Sequence, residues 1–203
     1  MLADRLNAAA RRVPTWPVYG IGMAVAGWYF WLGLTGGLGP EPINTLERLY
    51  GEKALQLLVV GLALTPLRRF AGVNLIRFRR AVGLTAFFFV LAHFSVWALL
   101  DVQRVAAIWA DLVKRPYITV GFAALLMLLP LALTSNNRSI RALGARWRQL
   151  HKLTYPAAIL AALHYVWLAK GFQIEPLLYM AAILALLALR VRLPKGASRP
   201  SRA

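Results

Sequence analysis

The sequence has no cysteine in its 203 residues, so disulfide bonds, thiolate metal sites and cysteine-ligated iron–sulfur clusters are excluded. Acidic residues are also scarce, with seven Asp and Glu against 24 Lys and Arg. None of the seven lies inside a long apolar run. The sequence therefore lacks the paired intramembrane carboxylates that carry protons or cations, which argues against a transporter. It also has no Gly-rich phosphate-binding loop and no evident Ser/His/Asp set.

Hydrophobic residues make up 60% of the chain, and the mean hydropathy is +0.59. A soluble domain of this size could not bury so much apolar surface. Short charged clusters divide the apolar residues into six runs, which is typical of a polytopic membrane protein. The runs cover residues 18–34, 53–67, 81–100, 117–134, 153–169 and 176–190. We therefore predict an all-α integral membrane bundle of six transmembrane helices, the second starting upstream in the more polar stretch 46–56.

The net charge of +17 follows from where the basic residues lie. With both termini on the cytoplasmic side, eighteen of the 24 Lys and Arg fall in cytoplasmic segments, and six of the seven acids fall outside. This asymmetry satisfies the positive-inside rule, so we expect cytoplasmic N- and C-termini. Membrane topology then explains the charge, and no nucleic-acid partner is expected.

The predicted organisation is one membrane domain, 18–190, between a cytoplasmic N-terminal segment, 1–17, and a basic cytoplasmic tail, 191–203. The first apolar run is expected to be a retained helix, because no small-x-small cleavage site follows it in the right place. The Gly- and Pro-rich stretch 34–52 is expected to form turns and then a short interfacial helix. The tetrapeptide LALT ends both the second and the fourth run, but four apolar residues match easily by chance.

Only three histidines occur, and two of them, His93 and His164, lie inside apolar runs. An ionisable ring at that depth is costly unless it has a partner, so each is a functional candidate; the alternative is a histidine hydrogen-bonded to a neighbouring helix. His93 lies 13 residues past Arg80 and His164 lies 12 past Lys152, the inner boundaries of two helices that run outward. The two imidazoles are then at nearly equal height, roughly 18–20 Å from the inner boundary. Two histidines at one level on parallel helices can clamp a heme iron axially, and we predict this role for both.

His151 lies in the basic stretch 146–152, about 20 Å inward of His164 along a helix. On an ideal helix the two rings would point roughly 140° apart. Three interpretations of His151 stay open: a ligand of a second, inner heme, a group at a flavin or quinone site, and an interfacial histidine without a special role. Nearby arginines could pair with heme propionates or a flavin phosphate, although topology alone demands cations here. These are Arg77, Arg79, Arg80, Arg146 and Arg148.

Several motifs resemble those of one known family. They are Arg146-Trp147-Arg148-Gln149-Leu150-His151-Lys152, Ala161-Ala162-Leu163-His164-Tyr165-Val166-Trp167, Gly37-Leu38-Gly39 with Pro42, Leu64-Thr65-Pro66-Leu67, and Arg115-Pro116-Tyr117-Ile118-Thr119. Together they resemble the heme-binding membrane subunit of the bacterial periplasmic methionine sulfoxide reductase system, over residues 20–190. That subunit looks like a reduced member of the ferric-reductase-like transmembrane group.

The resemblance implies a function that composition does not reveal. It implies one or two b-type hemes, bound FMN, and a location in the bacterial inner membrane. Electrons would come from the quinone pool or from a flavin reductase. They would leave to a soluble periplasmic molybdopterin-containing catalytic subunit that reduces methionine sulfoxide in oxidised proteins. The chain would then be the electron-transfer subunit of an oxidoreductase complex and not its catalytic subunit.

One departure from the wider group concerns the inner heme. That group has two histidines on each ligand helix, whereas the third run here has only His93, with Arg79 and Arg80 one helical stretch inward. Two alternative functions stay open at this point. One is a stand-alone ferric-chelate or quinone reductase, and the other is a heme-free membrane anchor or small transporter.

Overall fold

The structure is a computed structural model that describes residues 2–169 and 173–190. The predicted tail, 191–203, and the predicted outer residue Lys170 lie outside the described residues. Within the described ranges every regular element is helical, which confirms the predicted all-α class.

Six helices match the six apolar runs of the sequence. They are α2 (Trp16–Leu34), α3 (Pro42–Ala71), α4 (Arg79–Ser95), α6 (Pro116–Leu133), α9 (Thr154–Leu168) and α10 (Ile174–Ala188). A π-helical stretch, Val96–Val102, continues α4, and a 3-10 turn, Ile76–Phe78, precedes it. A short helix, α1 (Leu2–Arg12), precedes them. Three further short helices connect them, namely α5 (Val105–Lys114), α7 (Asn137–Leu143) and α8 (Ala145–Leu150), with a 3-10 turn at His151–Leu153 before α9.

Three continuous helical stretches are long and apolar enough to cross a membrane: Pro42–Ala71, Ile76–Val102 and Pro116–Leu133. The helix Ile174–Ala188 is apolar but shorter. A hydrocarbon core about 30 Å thick needs roughly 20 helical residues. Large side chains such as Trp28, Trp31 and Leu133 point away from the protein core, as lipid-facing residues do. The protein is therefore an integral membrane protein.

Helix α3 lies at the centre of the bundle, packed against α2, α4, α9 and α10, while α6 packs on α4 and α9. The buried Tyr50 hydroxyl donates to the carbonyl oxygen of Ala26 at 2.8 Å and so ties α3 to α2. The Tyr50 ring also meets Phe89 of α4 edge-on, with 5.9 Å between ring centres. One side chain thus links three helices by a satisfied hydrogen bond and aromatic packing.

Small residues let the helices approach closely, as is usual in membrane bundles. Ala86 of α4 and Ala157, Ala158 and Ala162 of α9 are fully buried. Any side chain at Gly22 of α2 would collide with the methyl group of Thr85. A glycine is therefore required where α2 crosses α4.

Two connecting segments differ from the sequence prediction. The short interfacial helix expected within 34–52 is wrong, because α3 begins at Pro42 and continues without a break to Ala71. Proline suits a first helical turn, where its missing N–H has no partner in any case. The helix of the second apolar run starts upstream of that run, as predicted, but at Pro42 and not within 46–56. The structure also contains α5, which was not predicted. Its exposed Val105, Trp109 and Val113 recur every four residues, as in a helix that lies in a membrane surface.

Candidate functional site

His93 lies in the last turn of α4, and the neighbouring helix α3 holds its ring. The ring nitrogen Nδ1 is 2.9 Å from the backbone carbonyl oxygen of Glu47. Because a carbonyl oxygen can only accept, Nδ1 carries the hydrogen and donates it. One helical turn further along α3, Gly51 faces the ring, and a Cβ added there would lie 3.1 Å from Nδ1. The neutral ring is therefore held in one tautomer, with a free lone pair on Nε2.

His164 lies in α9 and is held in the same way by α6. Its Nδ1 donates to the backbone carbonyl oxygen of Tyr117 at 2.7 Å. Gly121, one turn along α6, backs the ring so closely that an added Cβ would lie 2.7 Å from Nδ1 and 3.0 Å from Cγ and Cε1. A backbone carbonyl that fixes a histidine in this manner is a common outer partner of a metal-binding imidazole.

The two histidine rings lie next to each other, with 6.1 Å between their centres and 72° between their planes. An imidazole nitrogen binds a metal ion at about 2 Å and lies roughly 1 Å from its ring centre, so two rings on opposite sides of one iron have centres about 6 Å apart. Within the described residues, the backbones of α4 and α9 do not pack closely against each other along their length. The residues present therefore fit a planar cofactor whose iron the two imidazoles would bind.

The donor set also suits a heme and not a bare metal ion. In the part of the chain that the structure describes, no three His, Cys, Asp or Glu residues converge where they could hold a metal. Two imidazoles are too few for a closed structural metal site. They are sufficient for an iron whose four remaining ligands come from a porphyrin.

The support of the two histidines is repeated along the chain. The carbonyl-bearing residue precedes its histidine by 46 positions in one case and by 47 in the other. Each carbonyl is followed four residues later by the glycine that backs the ring. The LALT tetrapeptides lie in the same two supporting helices, α3 and α6. The pair α3 and α4 is thus equivalent to the pair α6 and α9, since in each pair the first helix supports the histidine of the second.

Four of these supporting residues were missed by the sequence analysis: Glu47, Gly51, Tyr117 and Gly121. Glu47 and Tyr117 act through their backbone carbonyls, and they leave no signature in the sequence because every residue has a backbone carbonyl. The glycines do leave a weak signal, since each lies inside a helix at almost the same distance before a histidine.

His151 lies away from His93 and His164, in the turn between α8 and α9, and its ring contacts Trp147 and Thr134. Its ring stacks on the indole of Trp147 at 3.8 Å between centres. Its Nε2 is 3.2 Å from the hydroxyl of Thr134. The Thr134 hydroxyl donates to the Pro130 carbonyl at 2.7 Å, so it accepts from His151 Nε2–H. Burial, and then the nearby Arg79 guanidinium, lower the pKa of His151.

Replacing Thr134 with valine is expected to lower the thermal unfolding midpoint, because the Nε2–H of His151 loses its acceptor at a cost of about 1 kcal/mol. Thr35→Val is a matched control, since the Thr35 hydroxyl also bonds a carbonyl one turn back, on Trp31. The midpoint of each variant is measured in detergent by intrinsic fluorescence. Equal midpoints for the two variants would show that the contact with His151 carries no stability.

The predicted arginines do not gather at one place. Arg77 donates to two carbonyl oxygens of α1, and Arg80 donates to the Asn137 side chain at 2.9 Å. Arg146 and Arg148 are exposed. Of the five, Arg79 is the one whose charge contributes to the lowered pKa of His151.

Comparison with known proteins gives a match to the family described as ferric reductase like transmembrane component, over residues 51–162. The matched segment includes His93 and ends two residues before His164. Proteins named protein-methionine-sulfoxide reductase heme-binding subunit MsrQ are similar over most of the chain. The one from Agrobacterium fabrum is 48% identical over 180 residues, covering 88% of this chain and 84% of that protein. Those from Brucella ovis and Brucella suis are 46% identical over 191 residues, covering 91% of this chain and 87% of theirs.

No solved structure matches the chain. The family match nevertheless spans more than half of the chain, and the curated relatives are similar over nearly their whole length. The chain therefore belongs to the ferric-reductase-like transmembrane family.

Proposed function

We propose that the protein is a membrane cytochrome that holds a b-type heme between α4 and α9 and delivers electrons to a periplasmic methionine sulfoxide reductase. One observation carries the proposal: His93 and His164 lie 6.1 Å apart between ring centres, and each donates its Nδ1 hydrogen to a carbonyl of a neighbouring helix. When bound, a heme supplies one-electron transfer through its iron. The relatives whose names contain the words heme-binding subunit support the same cofactor.

The histidines and their neighbours would fix the cofactor and its electronic properties. The two Nε2 atoms would bind the iron as neutral ligands, so no buried charge would need compensation. The carbonyls of Glu47 and Tyr117 orient the rings and increase their electron donation. Gly51 and Gly121 leave the space that the rings require. With both imidazoles bound to it, the heme would supply electron transfer and not chemistry on a bound substrate.

We also propose the topology that the charge distribution predicted. The six apolar helices cross the membrane, residues 18–190 form the membrane domain, and segments 1–17 and 191–203 lie in the cytoplasm. The membrane is the bacterial inner membrane. Every helix end that contributes Arg68, Arg77, Arg80, Arg148 or Arg190 then lies on the cytoplasmic side, as the positive-inside rule requires.

The partners proposed here follow the family resemblance. Electrons enter from quinol or from a flavin reductase on the cytoplasmic side and leave to a molybdopterin-containing catalytic subunit in the periplasm. His151 is the residue of this chain nearest to the entry side that could bind an inner heme or contact FMN. The cation that lies near His151 is Arg79. An inner heme with two imidazole ligands would need a histidine there instead.

The function is tested by following the heme absorbance of the purified chain in nanodiscs. The dithionite-reduced protein, freed of excess reductant, is mixed anaerobically with the molybdopterin catalytic subunit and a methionine sulfoxide peptide. Reoxidation is expected only when both are present, because the peptide is the final electron acceptor. Equally fast reoxidation by ferric citrate alone would instead indicate a stand-alone reductase. A chain that purifies without heme would contradict the proposal, and a membrane anchor or a small transporter would be the remaining hypotheses.

A further inference from the structure

Helix α1 is fastened to the connection between α3 and α4. The Asn7 amide donates to the Gly72 carbonyl at 3.0 Å, and its oxygen accepts from the backbone N–H of Asn74 at 2.7 Å. Arg77 donates through Nη1 to two carbonyl oxygens in the last turn of α1, at 2.9 and 2.6 Å. These carbonyls have no partners inside the helix and form the negative end of its dipole. Helix α1 is thus held to the rest of the protein by specific hydrogen bonds.

A cavity of about 330 Å³ lies between α1 and this connection. Three of its lining residues are arginines and two are asparagines, and none of the described residues that line it carries a carboxylate. The lining consists of Asn7, Arg11, Arg68, Asn74, Ile76 and Arg77. The positive-inside rule demands cations at this end of the bundle, but it does not demand that three arginines and two asparagines line one site.

The charges of this cavity are not neutralised by the described part of the protein. Arg11 and Arg68 make no side-chain hydrogen bond or ion pair there. Arg77 uses its Nη1 on α1 and keeps Nε and Nη2 for another acceptor. Guanidinium groups match the oxygens of a phosphate in paired hydrogen bonds. The site is therefore suited to an anion with several oxygens.

The position of the cavity indicates the source of that phosphate. Arg68 lies in the last turn of a helix long enough to cross the membrane, and Ile76 begins the next such helix. The cavity is thus at the level where lipid headgroups lie. Nearby, α1 and the residue that follows it expose Leu6 and Val13, which suits a helix that rests on a bilayer surface.

We propose that this cavity binds the phosphate group of an anionic phospholipid on the cytoplasmic side of the membrane. Arg11, Arg68 and Arg77 bind the phosphate oxygens, and the amides of Asn7 and Asn74 border the site. Basic pockets beside transmembrane helices on this side are suited to such headgroups. Lipid binding would strengthen the attachment of α1 to the bundle, because it joins Arg11 of α1 to Arg68 of α3.

The test measures lipid binding to the full chain by native mass spectrometry and by the thermal unfolding midpoint in detergent. Wild type is titrated with phosphatidylglycerol, phosphatidylcholine, inorganic phosphate and FMN. The variant Arg11→Gln/Arg68→Gln is compared with Arg5→Gln/Arg12→Gln, which removes the same charge from residues that do not line the cavity. Phosphatidylglycerol is expected to bind wild type and the control in preference to phosphatidylcholine, and to bind the cavity variant at least about tenfold more weakly.

Three results would overturn the proposal. Equal weakening in both variants would show that the lipid responds only to the total surface charge. Wild type without any preference for phosphatidylglycerol would show that no anionic-lipid site exists, whatever the folding state of the variants. Binding of FMN or inorganic phosphate that depends on Arg11 and Arg68, without a matching lipid preference, would assign the cavity to a soluble phosphate ligand.

Discussion

Replacing His164 with alanine is expected to abolish the absorbance of a six-coordinate low-spin b-type heme, and His93→Ala is expected to do the same. Each substitution removes one of the two imidazoles that would bind the iron, and the described residues contain no group of three or more His, Cys, Asp or Glu that could hold a metal instead. The measurement is the reduced-minus-oxidised spectrum of the purified variants, normalised to protein.

His151→Ala is the control for this experiment. His151 belongs to a separate contact set with Thr134 and Trp147, so its loss leaves the absorbance of the heme bound by the other two histidines. Size-exclusion profiles distinguish loss of heme from loss of fold. A full low-spin spectrum in His164→Ala would remove His164 from the ligand set.

Replacing Gly121 with alanine is expected to weaken heme binding and to shift the redox midpoint potential. The new Cβ would lie 2.7 Å from Nδ1 of His164, well inside ordinary van der Waals contact at about 3.5–4 Å, so the ring must leave the Tyr117 carbonyl. Changes in the outer partners of metal ligands typically cost about 10–100-fold in metal affinity. Heme retention during dilution and a spectroelectrochemical titration measure the two effects.

Two further glycine variants give this prediction a graded series. Gly51→Ala should act in the same direction but less strongly, because its Cβ would lie 3.1 Å from Nδ1 of His93. Gly83→Ala is the matched control, since nothing lies within 4 Å of its added Cβ and alanine favours a helix by up to about 1 kcal/mol. A midpoint potential for Gly121→Ala equal to that of Gly83→Ala would show that the close contact does not position the ligand.

The sequence predicted the main helices well because a membrane leaves few alternatives. Long apolar runs bounded by charge must form helices whose backbone groups are satisfied internally, and all six runs are helical in the structure. The same logic gave the upstream start of α3, since a run of only 15 apolar residues is too short to cross. Short amphipathic helices such as α5 escaped prediction because their apolar residues are few and are mixed with charge.

The similar depth of the two intramembrane histidines could also be predicted. Each lies a similar number of residues beyond the basic residue at the inner boundary of its helix, and the two helices run in the same direction. The groups that hold the rings could not be predicted. The Glu47 and Tyr117 carbonyls are backbone atoms, and their partners depend on how α3 meets α4 and how α6 meets α9. The arginine-lined cavity likewise depends on Arg11 and Arg68, 57 positions apart in sequence, lining the same site, which no local pattern specifies.

The most direct test of the central claim is the heme content of the full chain purified in detergent after expression with ample heme. Absorption spectra of the oxidised and dithionite-reduced protein are recorded, together with a pyridine hemochrome assay. The account predicts the sharp reduced bands of a six-coordinate b-type heme, with at least one heme per chain bound by His93 and His164. A second heme per chain would identify His151 as a ligand. A folded protein that contains no heme would contradict the account.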